Sequence, residues 1–391
     1  MRKVTVTERR ARLMRRHRLA RSAKTDDPVA IANAVVALHG SDPASVHLAA
    51  LARMRRPDVG AVEKALYDDH SLARILGMRR TMFVMESGLA PIVQSACTNA
   101  IAVQQRKLLL RMIAEAGFTD DPQGWLAEAE EAAHRALVAR EAASTTEVSE
   151  DEPRLRERLV LAPGKKYESR PSVASRVLFL LAAEGRIIRG RPRGSWISSQ
   201  YAWSPIETWL ADWRPDVPKE HAQAELARRW LWAFGPGTAD DLKWWTGWTV
   251  AEVKRALAEV GPVEVDLDGR TGLVLADDAD RVASPKPSAV LLPGLDPTVM
   301  GWKQREWFLG EHGPELFDSN GNAGPTVWWD GRIVGGWAQR PDGDIVYRLL
   351  EDVGSEAVAA IDNTADRLSG AIGDVRFTAR FRTPLERELS G

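Results

Sequence analysis

The sequence predicts an α+β protein in which three tandem winged-helix units are followed by a carboxy-terminal β-barrel or curled sheet. Two stretches, residues 172–203 and 223–275, support the winged-helix prediction, because in each of them helices run into a hairpin. The third observation is a change of character beyond residue 285, where strand patterns replace helices. These changes divide the chain into four domains, at residues 1–117, 118–214, 215–284 and 285–391.

The middle unit ends in a helix followed by an arginine-rich hairpin. Val173, Val177 and Leu180 recur at helical spacing before Gly185, and residues 186–203 alternate like two strands around a turn. In a winged helix the helix enters a groove of DNA while arginines of the wing bind phosphates. An ordinary hairpin that its arginines keep soluble has the same pattern, so this alternative stays open.

The third unit has the clearest helix boundaries. Thr238 and Thr249 are predicted to cap two helices, and Gly247 and Gly261 to end them. A hairpin with an Asp-Gly turn follows at residues 263–275.

The first unit is less regular. Asp27-Pro28 and Asp42-Pro43 predict two helix starts, and residues 79–85 are the best strand candidate. The amino-terminal segment is expected to form a helix capped by Thr7, with Leu13, His17 and Ala20 on its apolar stripe.

The carboxy-terminal part is predicted to form a small barrel or curled sheet. Its predicted strands are residues 289–294, 326–337, 345–350 and a last strand at 375–381, with a helix at 356–368. Most of the 15 tryptophans lie from Trp196 onward, where core packing explains them better than base stacking does.

Composition narrows the classes of function. The single cysteine, Cys97, excludes a disulfide framework and a cysteine-zinc site. No spacing of His, Asp and Glu suggests a metal site, and no glycine-rich phosphate loop or Gly-x-Ser-x-Gly motif is present. No signal peptide or apolar run of about 20 residues is found. We therefore expect a monomeric, cytoplasmic, nucleoid-associated protein without a cofactor, a metal or a membrane partner.

The net charge of −1 conceals a segregated distribution. Residues 1–24 carry ten Lys and Arg against the single acid Glu8, which gives a local positive field. A solvated basic tail is the alternative. The expected partner is double-stranded DNA, and its candidate contacts are Arg12, Arg15, Arg16, His17, Arg18, Arg79, Arg80, Arg189, Arg191 and Arg193.

Four short phrases, in order along the chain, resemble a known family. They are residues 38–43 (Leu-His-Gly-Ser-Asp-Pro), 77–81 (Gly-Met-Arg-Arg-Thr), 234–242 (Phe-Gly-Pro-Gly-Thr-Ala-Asp-Asp-Leu) and 321–326 (Gly-Asn-Ala-Gly-Pro-Thr). In these phrases the chain resembles the bacterial winged-helix DNA-binding superfamily that contains the AlkZ and YcaQ-like DNA glycosylases. The resemblance implies three winged helices arranged as a C around duplex DNA, followed by a β-barrel. It also implies excision of N-alkylated purines and, in some members, unhooking of interstrand crosslinks.

The resemblance also implies a catalytic motif, Gln-x-Gln or Gln-x-Asp, followed in many members by Asp-Pro. Aligned on Asp42-Pro43, the motif falls on His39, Gly40 and Ser41, so His and Ser stand where the family has glutamine. His39, Ser41 and Asp42 are therefore the candidate catalytic residues.

These residue types suit the hydrolysis of a weakened glycosidic bond. A purine alkylated at N7 or N3 is cationic and leaves without a proton, so catalysis needs a positioned water and stabilisation of an oxocarbenium-like sugar. A neutral His39 would accept a hydrogen bond from the water, Asp42 would supply negative charge, and Ser41 would orient it.

Structural roles for the same residues are the alternative. Asp42 before Pro43 caps a helix in any protein, His39 beside Gly40 would finish one, and His47 is expected to pack or to contact DNA. The function hypotheses are accordingly a monofunctional glycosylase and a non-catalytic, regulatory winged-helix DNA binder. Substitution of His39 or Asp42 separates them.

Overall fold

The computed structural model describes residues 1–161, 164–166 and 168–391. The helices of this part of the chain are α1 (Val6–Arg16), α2 (Pro28–Ala34), α3 (Pro43–Leu51), α4 (Val59–Tyr67), α5 (Ala90–Val93), α6 (Asn99–Ala116), α7 (Pro122–Arg140), α8 (Thr145–Asp151), α9 (Ala174–Ala183), α10 (Ile206–Trp209), α11 (Lys219–Phe234), α12 (Ala239–Thr246), α13 (Val250–Val260), α14 (Pro297–Met300), α15 (Glu306–Leu309), α16 (Gly313–Leu316), α17 (Ser355–Ile372) and α18 (Pro384–Ser390), with a π-helical turn, Gln94–Thr98, between α5 and α6. None of these helices has the length and apolarity needed to span a bilayer.

Within the described residues the strands form four sheets. They are β1 (Arg2–Lys3), β2 (Leu38–His39), β3 (Leu72–Leu76), β4 (Met82–Glu86), β5 (Ile187–Pro192), β6 (Tyr201–Pro205), β7 (Val263–Asp266), β8 (Thr271–Val274), β9 (Ala289–Leu292), β10 (Thr326–Trp329), β11 (Arg332–Gln339) and β12 (Ile345–Leu349). The sheet orders are β1-β7-β8, β2-β4-β3, β5-β6 and β12-β11-β10-β9.

One order of elements occurs three times: a helix, a short pairing segment, two helices and a hairpin. The first copy runs from α2 to β4, with β2 as the pairing segment against β4. The second runs from α7 to β6, with Ala143 bridged to Trp203 of β6. The third runs from α11 to β8, with Gly237 bridged to Leu273 of β8. In every copy the segment between the first two helices joins the last strand of the hairpin.

The helix boundaries predicted for the third copy are confirmed. Thr238 and Asp241 form a capping box at the start of α12, and Thr249 and Glu252 form one at the start of α13. Gly247 and Gly261 end these helices with φ of 78° and 64°, which a residue without Cβ adopts at little cost.

Three boundaries differ from prediction. The amino-terminal helix is capped by Thr5 rather than Thr7. Arg79 and Arg80 do not begin a strand, because both take positive φ (52° and 60°) in the turn that joins β3 to β4. In the middle hairpin the returning strand starts at Tyr201 rather than at residue 196, because residues 193–199 form the bend and turn between the two strands.

The predicted last strand at residues 375–381 is wrong, and with it the barrel. Between α17 and α18 this segment belongs to no strand; the Phe377 N–H donates to Oε1 of Gln339 at 2.9 Å, and the Arg380 N–H donates to Asp42. The four-stranded sheet is therefore open, with β9 and β12 as its edges in the described part of the chain.

The apolar core follows these connections. One cluster of buried side chains runs from Leu13 to Leu385 and joins the first copy, the third copy and the carboxy-terminal sheet, whereas the middle copy has a separate core between Leu109 and Trp203. The amino terminus joins the third copy, because β1 pairs in parallel with β7.

A buried ion pair links α3 to the carboxy-terminal domain. Arg53 follows α3, and its guanidinium donates to both carboxylate oxygens of Asp296, at 2.8 and 2.7 Å, with both side chains 0% exposed. The same guanidinium donates to Thr298 and to the carbonyl oxygen of His17. Within α3, the Ser45 hydroxyl donates to the carbonyl oxygen of Gly294 at 2.8 Å. These bonds hold α3 against the segment that follows β9.

We expect Arg53→Met to lower the free energy of unfolding by about 3–5 kcal/mol, because it leaves Asp296 as an uncompensated buried charge. Arg56→Met is the control, since the Arg56 side chain is 90% exposed, and it should change stability by ~0.5 kcal/mol or less. Urea denaturation measures both. Equal effects of the two substitutions would contradict this assignment.

Candidate active site

The candidate motif lies between β2 and α3. His39 is the last residue of β2 and pairs with Phe83, so it lies in a strand rather than at the predicted helix end. Gly40 continues this pairing through its N–H, which donates to the carbonyl oxygen of Met82 at 2.7 Å. Asp42 caps α3 as predicted, because its Oδ1 accepts from the Ala44 N–H at 3.1 Å. The sheet and the cap thus set the positions of residues 39 to 42.

His39 is a buried, neutral imidazole. Its ring meets that of Phe83 edge-on at 5.4 Å, and Nδ1 accepts from the Ser41 N–H at 3.5 Å. Burial, assisted by the positive charges of Arg79 and Arg74, lowers the pKa of His39 to about 3. The imidazole is therefore uncharged at neutral pH, and its one acceptor nitrogen, Nδ1, is already engaged by the Ser41 N–H.

A cavity of about 290 Å³ opens beside His39. The Trp244 ring lies in its wall with two guanidinium groups over it, Arg79 at 4.1 Å and Arg305 at 5.1 Å from the ring centroid. Asn320 and Asn322 line the same cavity. Sequence reasoning did not assign Trp244, Arg305, Asn320 or Asn322 to the site; only the phrase at residues 321–326 pointed to this loop.

A second cavity, of about 520 Å³, lies beside Asp42. Asp42 is 8% exposed, and its Oδ2 accepts from the Arg380 N–H at 3.3 Å. Burial raises the pKa of Asp42, while the N–H groups of Arg380 and Ala44 oppose this shift. Ser41 lines the same cavity.

The three predicted catalytic residues therefore divide between two cavities. Ser41 and Asp42 are together, and His39 lines the other cavity. His39 still contacts the motif, because its Nδ1 accepts from the backbone of Ser41. This arrangement suits a carboxylate that acts directly and an imidazole that orients the backbone beside it.

Three residues of the amino-terminal segment have intramolecular roles, which corrects the expectation that they face DNA. Arg12 is 1% exposed and pairs with Glu8 and Asp278, and Arg16 also pairs with Asp278. His17 is fully buried between the Thr298 hydroxyl and the carbonyl oxygen of Ala233. For the two arginines the reason is that the acid-rich segment around Asp278 packs against α1.

The two other predicted contacts of this segment also donate to the protein. Arg15 Nε donates to the carbonyl oxygen of Ala283 at 3.0 Å, and Arg15 remains exposed. Arg18 donates to the carbonyl oxygens of Ala23 and Ala30.

The hairpin arginines differ in their availability. Arg79 and Arg80 are exposed in the β3–β4 turn. Arg189 lies over the Tyr201 ring at 4.2 Å. Arg191 and Arg193 are exposed but pair with Asp68 and Glu147, each at 2.5 Å. The last two must leave a carboxylate to bind a phosphate.

Neither a metal cluster nor a reactive thiol is found in the described residues. No group of three His, Cys, Asp or Glu side chains there has the spacing to hold a metal ion. Cys97 is buried, and burial raises the pKa of its thiol to about 12, so it is not a nucleophile at neutral pH.

Three buried histidines predict acid sensitivity. Burial lowers the pKa of His17 and His39 to about 3 and that of His47 to about 4, below about 6.5 in the unfolded chain. Below pH ~6.5 the unfolded chain therefore binds protons that the folded chain does not. We expect the free energy of unfolding to fall, as pH drops from ~6.5 to ~4, by up to ~1.4 kcal/mol per pH unit for each histidine.

Urea denaturation between pH 7 and 5 measures this slope. His47→Gln should reduce it by about one histidine's share, whereas His221→Asn, at a side chain that is 68% exposed, should leave it unchanged. An unchanged slope in His47→Gln would contradict the assignment.

Comparisons with known proteins identify the family and the fold. Residues 32–371 match the family model described as DNA glycosylase AlkZ-like. The interstrand DNA cross-link repair glycosylase of Streptomyces sahachiroi is 27% identical over 214 residues, which are 52% of this chain and 57% of that relative, so the match spans little more than half of the relative's length. The solved structure of the S. sahachiroi DNA glycosylase AlkZ superposes with a TM-score of 0.72 at 20% identity, over 94% of this chain and 97% of that one. The fold is thus a mixed α/β fold of the AlkZ type, and the chain belongs to the AlkZ-like DNA glycosylase family.

Proposed function

We propose that the protein is a monofunctional DNA glycosylase, which hydrolyses the N-glycosidic bond of N7- or N3-alkylated purines or of crosslinks in duplex DNA. The observation that carries this proposal is the buried Asp42 carboxylate close to a neutral His39, where the family's motif and the Asp-Pro that follows it align, on the walls of two arginine-lined cavities. The S. sahachiroi relative is named for the repair of interstrand crosslinks, and this supports the crosslink substrate.

The three copies of one element order support a proposal for DNA binding. Helix, pairing segment, two helices and hairpin is the order of a winged helix, so we treat the copies as winged-helix units in the domains 118–214, 215–284 and 1–117, arranged as a C around duplex DNA. The wings would then present Arg79, Arg80 and Arg189 to phosphates, with Arg191 and Arg193 exchanging carboxylate for phosphate. The protein would act at the nucleoid as a monomer, without metal or cofactor.

The proposed chemistry needs no proton donor to the base, because an N7- or N3-alkylated purine leaves as a neutral molecule. Asp42 would hold the attacking water and stabilise positive charge on the sugar, and the Ser41 hydroxyl would orient the water. His39 would act on the backbone of Ser41, whose N–H donates to its ring. In this scheme Asp42 is the group whose charge matters most.

A non-catalytic, regulatory DNA binder is the second candidate. It is favoured by the replacement of both family glutamines by His39 and Ser41 and by the separation of His39 from Asp42 in two cavities. Such a protein would bind duplex DNA and release no base.

Base release from duplex DNA that carries one N7-alkylguanine decides between the two. We expect Asp42→Asn to lower the rate at least ~100-fold, because Asn still caps the helix but carries no charge. Asp27→Asn is the matched control, since Asp27 caps α2 in front of a proline in the same way, and it should retain the full rate. Release that persists in Asp42→Asn, or no release by the native protein, would exclude the proposed role of Asp42. A duplex with an interstrand crosslink, followed by denaturing electrophoresis, tests unhooking.

Affinity for duplex DNA should fall with salt. We expect Arg80→Gln to lower the slope of log affinity against log salt by ~0.9, the value of one lost phosphate contact. Arg111→Gln is the control, because Arg111 is 69% exposed and pairs with Glu115 along its own helix. Fluorescence anisotropy at several salt concentrations measures the slopes, and identical slopes for both variants would remove Arg80 from the interface.

A further inference from the structure

Three arginines from distant parts of the chain meet at the cavity beside Asp42. Arg74 comes from β3, Arg189 from β5, and Arg380 from the segment between α17 and α18. The cavity thus lies where the first copy, the middle hairpin and the carboxy-terminal domain come together. Of these three arginines, only Arg189 is predicted from the sequence to contact DNA, as part of a wing.

The three guanidinium groups have no ion-pair partner among the described residues. Arg74 is 4% exposed; its guanidinium donates to the carbonyl oxygen of Gly40, and its Nε has no partner. The buried Nε of Arg189 also has none. Among the described residues, none of the three arginines forms an ion pair with a carboxylate. Arg189 is partly buried and Arg380 is exposed, so the cost of burying an unpaired guanidinium falls on Arg74, and this cost favours an anion in the cavity.

The character of the lining indicates which anion. Arginine forks match the oxygens of a phosphate, and the hydroxyls of Ser199, Tyr201 and Thr378 in the same wall add neutral donors. The volume of about 520 Å³ is many times that of one water molecule, about 30 Å³, and leaves room for a sugar beside the phosphate. A phosphodiester within a DNA strand therefore fits this cavity better than a free ion.

We propose that the cavity formed by Arg74, Arg189 and Arg380 binds a backbone phosphate of the damaged strand, next to the nucleotide whose base is released. This inference rests on the proposed function and names a subsite of it. Arg380 is its positioning residue, because its N–H donates to Asp42 and its guanidinium to the carbonyl oxygen of Ser41. Phosphate binding would thereby order the segment that holds the carboxylate in place.

Thermodynamic coupling tests the subsite without any base release. The probe is a duplex with a central tetrahydrofuran, a stable analogue of the abasic product, in which single phosphates of the same strand are replaced by neutral methylphosphonates. The native protein should lose about tenfold in affinity at one phosphate beside the tetrahydrofuran, as expected for one charge-assisted bond. Arg380→Gln should bind the unmodified duplex about tenfold more weakly than the native protein does. It should lose no further affinity when that phosphate is replaced by a methylphosphonate.

Arg376→Gln is the matched control, because Arg376 is an exposed arginine of the same segment that donates to the carbonyl oxygen of Asp342 in the β11–β12 turn. It should show the full tenfold methylphosphonate effect. The proposal would be overturned if, at every phosphate, the loss of affinity from the methylphosphonate and the loss from Arg380→Gln multiplied when combined. A second result would also overturn it: inorganic phosphate raises the Tm of the native protein but not that of Arg380→Gln, and no methylphosphonate shows coupling to Arg380. The cavity would then bind a free anion. Coupling in a protein that releases no base would support the subsite and overturn only the proposed catalysis.

Discussion

The buried pair of Arg53 and Asp296 is the interaction on which the site depends. It joins the end of α3 to the segment after β9, and the helix whose start is Asp42 is thereby held against the carboxy-terminal domain. Two charges out of water need complete compensation, and Thr298 and the carbonyl oxygen of His17 supply the remaining bonds. A shift of α3 would move Asp42 relative to Arg380, so the geometry of the cavity follows from this one pair.

Burial shifts the pKa values of His39 and Asp42 in opposite directions. The imidazole of His39 is kept neutral by burial beside Arg79 and Arg74, whereas burial raises the pKa of Asp42 against the opposing effect of two backbone N–H groups and of the cations Arg380 and Arg74. Within four residues, burial thus disfavours the charged form of both groups.

Local features were predictable from sequence, and long-range ones were not. The caps Asp42, Thr238 and Thr249 depend only on residues two or three positions away, and all three are present in the structure. The burial of Arg12 depends on Asp278, which is more than two hundred residues distant along the chain. From the sequence alone, the basic amino terminus is therefore predicted to contact DNA. Two other features also arise from tertiary packing, for which a single sequence offers no periodic signal. One is the position of Trp244 in the cavity wall beside His39, and the other is the segment that contacts Asp42 in place of a final strand.

The bond between the Arg380 N–H and Asp42 has a consequence for the synthesis of the protein. A chain grows from its amino terminus, so Asp42 emerges from the ribosome long before the residues that complete its surroundings. The cavity can close only after Arg380 has also been made. A nascent polypeptide that stops before Arg380 would therefore contain Asp42 and its helix but lack one wall of the cavity.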